Sequence, residues 1–189
     1  MPRRQAIASI IVLLVSMFFG VNEESLNSIV DWIDPPVAGF ARVEEVVDGD
    51  TVVVRFGETK ERVRLIGVDT PETHHPNKAV QCFGEAASEY LKGLLSNTDV
   101  RLEADPTNTN RDRYDRLLRY VYTEDNELVN LKIISEGYGF AYTIFPFQKI
   151  DQFRAAQAQA SAQSSGLWGE CDIVESGDSL NTVPDADAD

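Results

Sequence analysis

Carboxylates gather in three short segments of the chain that also contain arginines. The segments are residues 48–51, 64–72 and 111–116, with the sequences D-G-D-T, R-L-I-G-V-D-T-P-E and R-D-R-Y-D-R. Asp50 opens a predicted strand beside a tight Asp-Gly turn, and Asp69 ends the next one, so pairing of these strands would bring both carboxylates together. Two close carboxylates repel each other unless a proton or a cation lies between them. Oxygen ligands without a cysteine or histidine cluster favour Ca²⁺ or Mg²⁺ over zinc.

Arginines of the same segments supply the positive charge that phosphate chemistry needs. A guanidinium group binds phosphate through two parallel hydrogen bonds. Cationic groups held in position also stabilise the charge that develops in a phosphoryl transition state. Arg64 and Arg116 are the candidates for this role. Carboxylates, a cation and two arginines together indicate phosphoryl chemistry.

The elements that must position these residues are short strands followed by helices. Runs of β-branched residues predict strands, and apolar residues at helical spacing predict helices. The predicted strands are 40–47, 51–56, 61–68, 100–104 and 117–122, and the predicted helices are 83–95, 127–136 and 150–164. Five strands with helices inserted late are typical of a small closed barrel. We therefore predict an α+β fold, a five-stranded OB-type β-barrel with about three helices packed on it.

The three segments, in this order and spacing, resemble the staphylococcal-nuclease-like (thermonuclease) family. The similarity runs from about Val43 to Trp168 and includes F-G-E-A-A at 83–87 and G-L-W at 166–168. It implies an OB-type barrel, dependence on Ca²⁺ and hydrolysis of phosphodiester bonds in DNA and RNA. These properties are expectations that follow from the resemblance.

The resemblance also implies roles for the acidic segment. Asp50, Asp69 and the backbone carbonyl of Thr70 would bind the calcium ion. Calcium would neutralise the phosphodiester and polarise water. Glu72 would act as the general base or would orient the attacking water, and both roles stay open.

For the basic residues, the resemblance implies contacts with substrate. Arg64 and Arg116 would hold the phosphate and stabilise the pentacoordinate transition state. Tyr114 falls where the family has a tyrosine near the substrate phosphate, and Arg113 is a further candidate for substrate binding. The family usually has glycine where this chain has Asp115, a residue type that tolerates positive φ better than most. We expect its charge to weaken substrate binding without abolishing activity.

The net charge of −14 argues against a protein that attracts nucleic acid with its whole surface. Six acidic residues lie in 172–189, which leaves 25 acidic and 17 basic residues on 1–171, an excess of eight negative charges. Affinity for a polyanion must therefore come from a local arginine cluster and a bound cation. Arginine accounts for twelve of the seventeen basic residues.

Composition and patterning divide the chain into four parts. Two arginines followed by a sixteen-residue apolar run from Ala6 to Val21 indicate export, either by a cleaved signal peptide or by an uncleaved signal anchor. The predicted parts are 1–21 as this export segment, 22–38 as a linker or stalk, 39–171 as the nuclease-like domain and 172–189 as an acidic disordered tail.

The two cysteines, Cys82 and Cys171, predict a disulfide that ties the C-terminal end of the domain to the first helix. This prediction depends on export into an oxidising compartment. The alternative is a pair of unrelated buried thiols.

The sequence thus predicts an exported, calcium-dependent endonuclease that hydrolyses DNA, RNA or both. We expect a monomer that is extracellular or held at the cell surface, with a membrane contact through the N-terminus if the anchor is uncleaved. The alternative function is a non-catalytic OB-type module that binds nucleic acid or protein. A module of that kind would not need the metal ligands, the base and both arginines together.

Overall fold

The computed structural model describes residues 39–73 and 80–184. The predicted export segment, the predicted stalk up to residue 38 and the last five residues of the predicted tail lie outside the described residues. Within the described ranges, no helix combines the length and apolar character needed to cross a membrane.

Five strands close into a barrel, as the sequence predicts. They are β1 (Gly39–Val46), β2 (Thr51–Phe56), β3 (Thr59–Leu65), β5 (Asp99–Glu103) and β6 (Leu117–Tyr122), and their order around the barrel is β1-β2-β3-β6-β5. The β3–β6 pair is parallel, and the other neighbours are antiparallel. Alternate residues point into the barrel, so Val43, Val54, Val63, Val100 and Val121 are fully buried. The predicted α+β class and OB-type barrel are confirmed.

A tight turn connects β1 to β2 and presents Asp50 at the start of β2. The N–H groups of Val47 and Asp48 both donate to the carbonyl of Thr51, at 2.9 and 3.4 Å. The Asp48 carboxylate accepts from the backbone N–H of Asp50 at 3.0 Å, which is the local bond by which aspartate stabilises turns. Asp48 therefore has a structural role here.

The strand predicted for 61–68 ends earlier than its sequence pattern indicates. Strand β3 stops at Leu65, and a separate two-residue strand, β4 (Val68–Asp69), pairs with β7 (Phe140–Ala141). Gly67 breaks the strand with φ of +72°, a conformation that glycine adopts without steric cost. A Cβ at this position would lie 2.6 Å from the Phe147 ring, so the turn needs glycine for space as well. The break redirects Asp69 out of the barrel wall.

Within residues 39–73 and 80–184, three helices of two turns or more cover the barrel, with bounds close to the predicted ones. They are α1 (Gly84–Leu95), α2 (Val129–Ser135) and α3 (Ile150–Ala162), and a single turn, α4 (Leu167–Glu170), follows. Buried residues of these helices include Leu91, Leu95, Ile133, Ile134 and Phe153. The side-chain carbonyl of Gln157 on α3 accepts from the N–H of Ala141 at 2.7 Å and so holds β7 against the helix.

The prediction that the acidic tail is disordered is wrong for most of its length. Strands β8 (Ile173–Ser176) and β9 (Ser179–Thr182) form an antiparallel hairpin, and Gly177 at its turn has φ of +61°. Thr182 is only 1% exposed. The hairpin forms despite the charge of the segment, because the Gly-Asp turn joins the two paired strands and Asp172, Glu175 and Asp178 all remain exposed.

A disulfide joins Cys82, just before α1, to Cys171, just after α4. The carbonyl of Val183 accepts from the N–H of Cys82 at 2.9 Å, and the Thr182 hydroxyl donates to the Cys82 carbonyl at 2.7 Å. The hairpin is therefore fixed to the start of α1 both covalently and by hydrogen bonds.

Candidate active site

Arg64 holds the two candidate metal-binding carboxylates together. Its Nη2 lies 2.8 Å from Asp50 Oδ2 and 3.2 Å from Asp69 Oδ1. Arg64 Nη1 also donates to the carbonyl of Val68 at 2.7 Å, so the turn at Gly67 braces the guanidinium. Asp50 immediately precedes β2 and Asp69 lies in β4, and the β2–β3 pairing that sets Thr51 opposite Arg64 brings them to one donor.

Burial makes Asp50 an unusual carboxylate. The residue is 7% exposed. Burial raises the pKa of Asp50 to about 7, the nearby charge of Arg64 opposes this, and the carboxylates of Asp48 and Asp69 add to it. Thr70 adjoins the same carboxylate, since its backbone N–H and its hydroxyl lie 3.3 and 3.5 Å from Asp50 Oδ2. Asp50, Asp69 and Thr70 are thus brought together as the sequence predicts.

Arg116 is oriented by an aspartate four residues earlier in the chain. Its Nε and Nη2 both lie 2.7 Å from Asp112 Oδ2. The other oxygen, Asp112 Oδ1, accepts from the backbone N–H groups of Tyr114 and Arg116 at 2.9 and 3.0 Å. Burial raises the pKa of Asp112, but the hydrogen bonds from Arg116 and Tyr114 outweigh it, and the pKa is lowered overall. Arg116 Nη1 in turn lies 3.4 Å from the hydroxyl of Thr51, next to Asp50.

The loop that contains Arg116 is anchored on the barrel. Both oxygens of the Glu61 carboxylate accept from Arg111, at 2.9 and 3.1 Å, which ties the loop to β3. The buried side chain of Arg119 on β6 donates to Asn110 Oδ1 at 2.6 Å. Asp115 has φ of +64°, as a position usually occupied by glycine requires.

A cleft of about 790 Å³ collects the candidate substrate-binding residues. Arg64, Asp69, Arg113, Tyr114 and Arg116 all line it. The Tyr114 side chain is 65% exposed, and the guanidinium carbons of the two neighbouring arginines lie 4.8 and 5.4 Å from its ring centre. These cation–π contacts hold the aromatic ring and the positive charges in one surface.

Glu72 is not among the residues that line this cleft. Its backbone is held on both sides by Gln81, whose side-chain carbonyl accepts from the Glu72 N–H at 2.6 Å and whose N–H donates to the Glu72 carbonyl at 2.9 Å. Glu72 lies three positions after Asp69 in the sequence and is half-buried. The structure therefore fixes the main chain of Glu72, while its proposed role depends on the sequence resemblance.

Comparison with known proteins decides the family. A family model described as staphylococcal nuclease homologue matches residues 62–170 of this chain, more than half of its length. The chain belongs to the staphylococcal nuclease family. The match includes Arg64, Asp69, Thr70, Glu72 and Arg116, and it ends before the C-terminal hairpin.

Individual relatives bear nuclease names. A thermonuclease of Staphylococcus intermedius is 45% identical over 125 residues, which are 66% of this chain and 72% of that protein. A thermonuclease of Staphylococcus hyicus is 40% identical over 128 residues, 67% of this chain and 74% of that protein. Endonuclease YncB of Bacillus subtilis is 39% identical over 134 residues, 70% of this chain and 63% of that protein. As a member of this family, the chain is a hydrolytic nuclease.

The donor set of the nuclease suits a hard cation. The carboxylates of Asp50 and Asp69 both contact Arg64, and the backbone N–H of Thr70 lies 3.3 Å from Asp50 Oδ2. Ca²⁺ and Mg²⁺ accept carboxylates, backbone carbonyls and water together. The residues present therefore fit an alkaline-earth ion that completes its coordination with water and substrate oxygens.

The sequence does not single out two residues of the nuclease site, Asp112 and Ser179. The contact of Asp112 with Arg116 depends on the turn that the loop makes between them, and this turn is seen only in the structure. Tyr142 and Phe145 line the cleft beside Tyr114, with 6.0 Å between their two ring centres. Ser179 on β9 lines it too, and only the tertiary structure reveals this.

Proposed function

We propose that this nuclease is exported, depends on calcium and cleaves phosphodiester bonds of DNA, RNA or both. The observation that carries the proposal is the shared cleft, in which Asp69 lies with Arg64 and Arg116. A cleft that only bound nucleic acid would need the arginines, but it would gain nothing from Asp69, which lines it, or from Asp50, which shares Arg64 with Asp69. Carboxylates in a phosphate site repel substrate unless a cation offsets their charge.

Each residue then has a chemical task. Asp50, Asp69 and the carbonyl of Thr70 would hold the ion, which when bound would neutralise the phosphodiester and polarise water. Arg64 and Arg116 hold the nonbridging phosphate oxygens and stabilise the charge that increases on them in the transition state. Loss of either guanidinium should cost on the order of 2.7–4 kcal/mol of barrier, the effect of removing one preorganised donor.

Glu72 has the remaining task, which is to accept a proton from the attacking water or to orient that water. The support for this role is the resemblance of the R-L-I-G-V-D-T-P-E segment to the family, in which Glu72 follows Asp69 by three positions. Glu72→Gln keeps the size of the side chain and removes its basicity. We expect turnover to fall by about two decades or more, while calcium binding measured by calorimetry stays unchanged. Unchanged turnover would exclude Glu72 as the base.

Digestion of plasmid and of single-stranded RNA by the purified full-length protein tests the function as a whole. We expect cleavage with calcium and none after addition of EDTA. Cleavage that persists in EDTA would refute the metal-dependent mechanism. Binding of nucleic acid without cleavage in either condition would instead favour the non-catalytic module.

The proposed location outside the cytoplasm rests on the N-terminal sequence and on the disulfide, since disulfides persist in oxidising compartments. Fractionation of cells, followed by N-terminal sequencing of the protein recovered, separates the two forms of export. A protein that begins near residue 22 in the medium indicates a cleaved signal peptide. Full-length protein in the membrane fraction indicates an anchor, and protein retained in the cytoplasm would refute export.

A further inference from the structure

The main chain of Glu72 is held by the residues that precede α1. The side-chain carbonyl of Gln81 accepts from the Glu72 N–H at 2.6 Å, and the Gln81 N–H donates to the Glu72 carbonyl at 2.9 Å. One residue thus satisfies both main-chain groups of Glu72. The peptide units on either side of Glu72 therefore cannot rotate without breaking a hydrogen bond to Gln81.

The first residue of α1 packs against the same stretch of main chain. A Cβ on Gly84 would lie 2.9 Å from the carbonyl oxygen of Glu72 and 3.2 Å from that of Pro71. The N–H of Gly84 also donates to the Gln81 carbonyl at 2.9 Å, so both residues belong to one turn. This turn and the main chain at 71–72 fit together closely because residue 84 is glycine.

Glu72 is held on its other side through Thr70 and Pro71. The N–H and the hydroxyl of Thr70 lie 3.3 and 3.5 Å from Asp50 Oδ2. Pro71 is buried, and its ring fixes its φ angle. The connection from the candidate metal ligands to Glu72 is therefore short and stiff, and the contact with Gln81 fixes its far end.

Residues beyond the matched family region hold Gln81 and Cys82 in turn. Gln81 forms an isolated β-bridge with Pro184. The Thr182 hydroxyl donates to the Cys82 carbonyl at 2.7 Å, and the disulfide joins Cys82 to Cys171. The family match ends at residue 170, so this support comes from the C-terminal hairpin and the residues that flank it.

The position of a general base has a strong effect on rate. A base acts only within hydrogen-bond reach of the proton that it accepts. A displacement of about 1 Å can cost about a hundredfold in rate. Because a glutamate carboxylate is carried by its main chain, a shift of the main chain at residue 72 also shifts the carboxylate.

We propose that Gln81 is a positioning residue for Glu72, and that the disulfide at Cys82 and the C-terminal hairpin keep Gln81 in place. The inference rests on the proposed function, in which Glu72 accepts a proton from the attacking water or orients that water. Gln81 itself takes part in no chemical step.

Gln81→Met in the full-length protein tests this role, because methionine has a similar length and only a weakly accepting sulfur. Gln81→Glu restores an acceptor oxygen and is the conservative rescue. Gln157→Met is the matched control, because the Gln157 side chain also accepts from a backbone N–H, that of Ala141 at 2.7 Å. kcat and KM for a labelled oligonucleotide, and calcium affinity by calorimetry, are measured for each variant alone and combined with Glu72→Ala.

We expect Gln81→Met to lower kcat about five- to fiftyfold, with KM and calcium affinity within about twofold of the wild type. Gln81→Glu should recover most of kcat. In the Glu72→Ala background Gln81→Met should cause no further loss, because the group that it positions is absent. Gln157→Met should change kcat by the same factor in both backgrounds.

Two further measurements reach the same contact without changing Gln81. Gly84→Ala places a methyl group against the Glu72 carbonyl and should show the same pattern as Gln81→Met. Reduction of the disulfide should also lower kcat only when Glu72 is present, at a temperature where circular dichroism shows that the reduced protein is folded. Folded, reduced protein with full kcat would overturn the role of the disulfide. If the reduced protein unfolds, Gln81→Met and Gly84→Ala decide the proposal.

The role of Gln81 is overturned if Gln81→Met keeps the wild-type kcat, or if its loss is equally large in the Glu72→Ala background. A loss that lies in KM or in calcium affinity would overturn it as well. Wild-type turnover by Glu72→Ala alone would refute the task proposed for Glu72, and the positioning role would fall with it. The single variants at 72 and 81 therefore separate failure of the proposed function from failure of this inference.

Discussion

Replacement of Asp112 by asparagine tests whether the positioning of Arg116 matters for turnover. The variant keeps an oxygen for the backbone N–H groups of Tyr114 and Arg116 but can turn an amide N–H₂ toward the guanidinium. Two hydrogen bonds of 2.7 Å to a charged acceptor are then lost. The side chains of Arg116 and Asp112 are only 24% and 17% exposed, so solvent screens the pair weakly.

The structure bounds the size of the effect. Complete loss of a preorganised donor costs on the order of 2.7–4 kcal/mol of barrier. Arg116 remains present in the variant but samples other rotamers, so we expect a smaller loss, about ten- to hundredfold in kcat, or about 1.4–2.7 kcal/mol. KM should change less than kcat, because the charge of Arg116 is kept.

The assay is steady-state cleavage of a labelled single-stranded oligonucleotide, and Asp115→Asn is the matched control. That variant removes the same charge from the same loop, tolerates the positive φ and leaves Arg116 with its partner. We expect less than about a twofold change from the charge alone, as for an exposed pair. In the double variant with Arg116→Gln, Asp112→Asn should add no further loss. Equal effects of the two asparagine variants, or full additivity, would refute the positioning role.

Two further predictions concern stability. Reduction of the disulfide, or a Cys82→Ser/Cys171→Ser double variant, should lower the free energy of unfolding by about 4–5 kcal/mol for a loop of 89 residues, measured by urea denaturation with and without reductant. A double variant as stable as the oxidised protein would contradict this. Asp105 accepts hydrogen bonds from Thr107, Tyr120 and Gln148, which outweigh its burial and lower its pKa. The Asp105 carboxylate therefore contributes fully to the free energy of unfolding above its unfolded pKa of about 3.9. This contribution is lost as the pH falls through the lower pKa of the folded state. Asp105→Asn should thus cost about 1–3 kcal/mol at neutral pH and progressively less in acid, and a cost independent of pH would refute the assignment.

Local signals in the sequence suffice for the barrel and for the central cluster. The Asp-Gly turn fixes where β2 begins, and antiparallel pairing then brings Arg64 to Thr51 and the adjacent Asp50. The turn and the strand pair both involve residues that are close in the chain. Their spacing therefore predicts that the carboxylates of Asp50 and Asp69 lie near each other. The break at Gly67 in the predicted third strand does not follow from local signals. A Cβ at Gly67 would collide with the ring of Phe147, which lies about eighty residues later in the chain.

The hairpin shows why other parts were not predictable. The negative charge of the segment and its place at the end of the chain predict a disordered tail, and the short Gly-Asp turn signal is weak beside them. A two-stranded hairpin is also only marginally stable alone. The disulfide and the bonds from Cys82 to Thr182 and Val183 supply the missing stability from elsewhere in the fold. Whether Glu72 reaches the reacting water cannot follow from spacing, because main-chain contacts with Gln81 decide its surroundings.

The link between Cys82 and Cys171 also makes the chain a covalent ring that contains Arg116 and the exposed Ile144–Phe145 segment. A protease that cuts once in that segment opens the ring without releasing either piece. The arginine loop and the C-terminal helices would then remain at high effective concentration and could stay folded together. On a gel, such a nicked protein would run as one chain until reductant separates it into two, so the connectivity of this domain keeps both pieces together after a single cut.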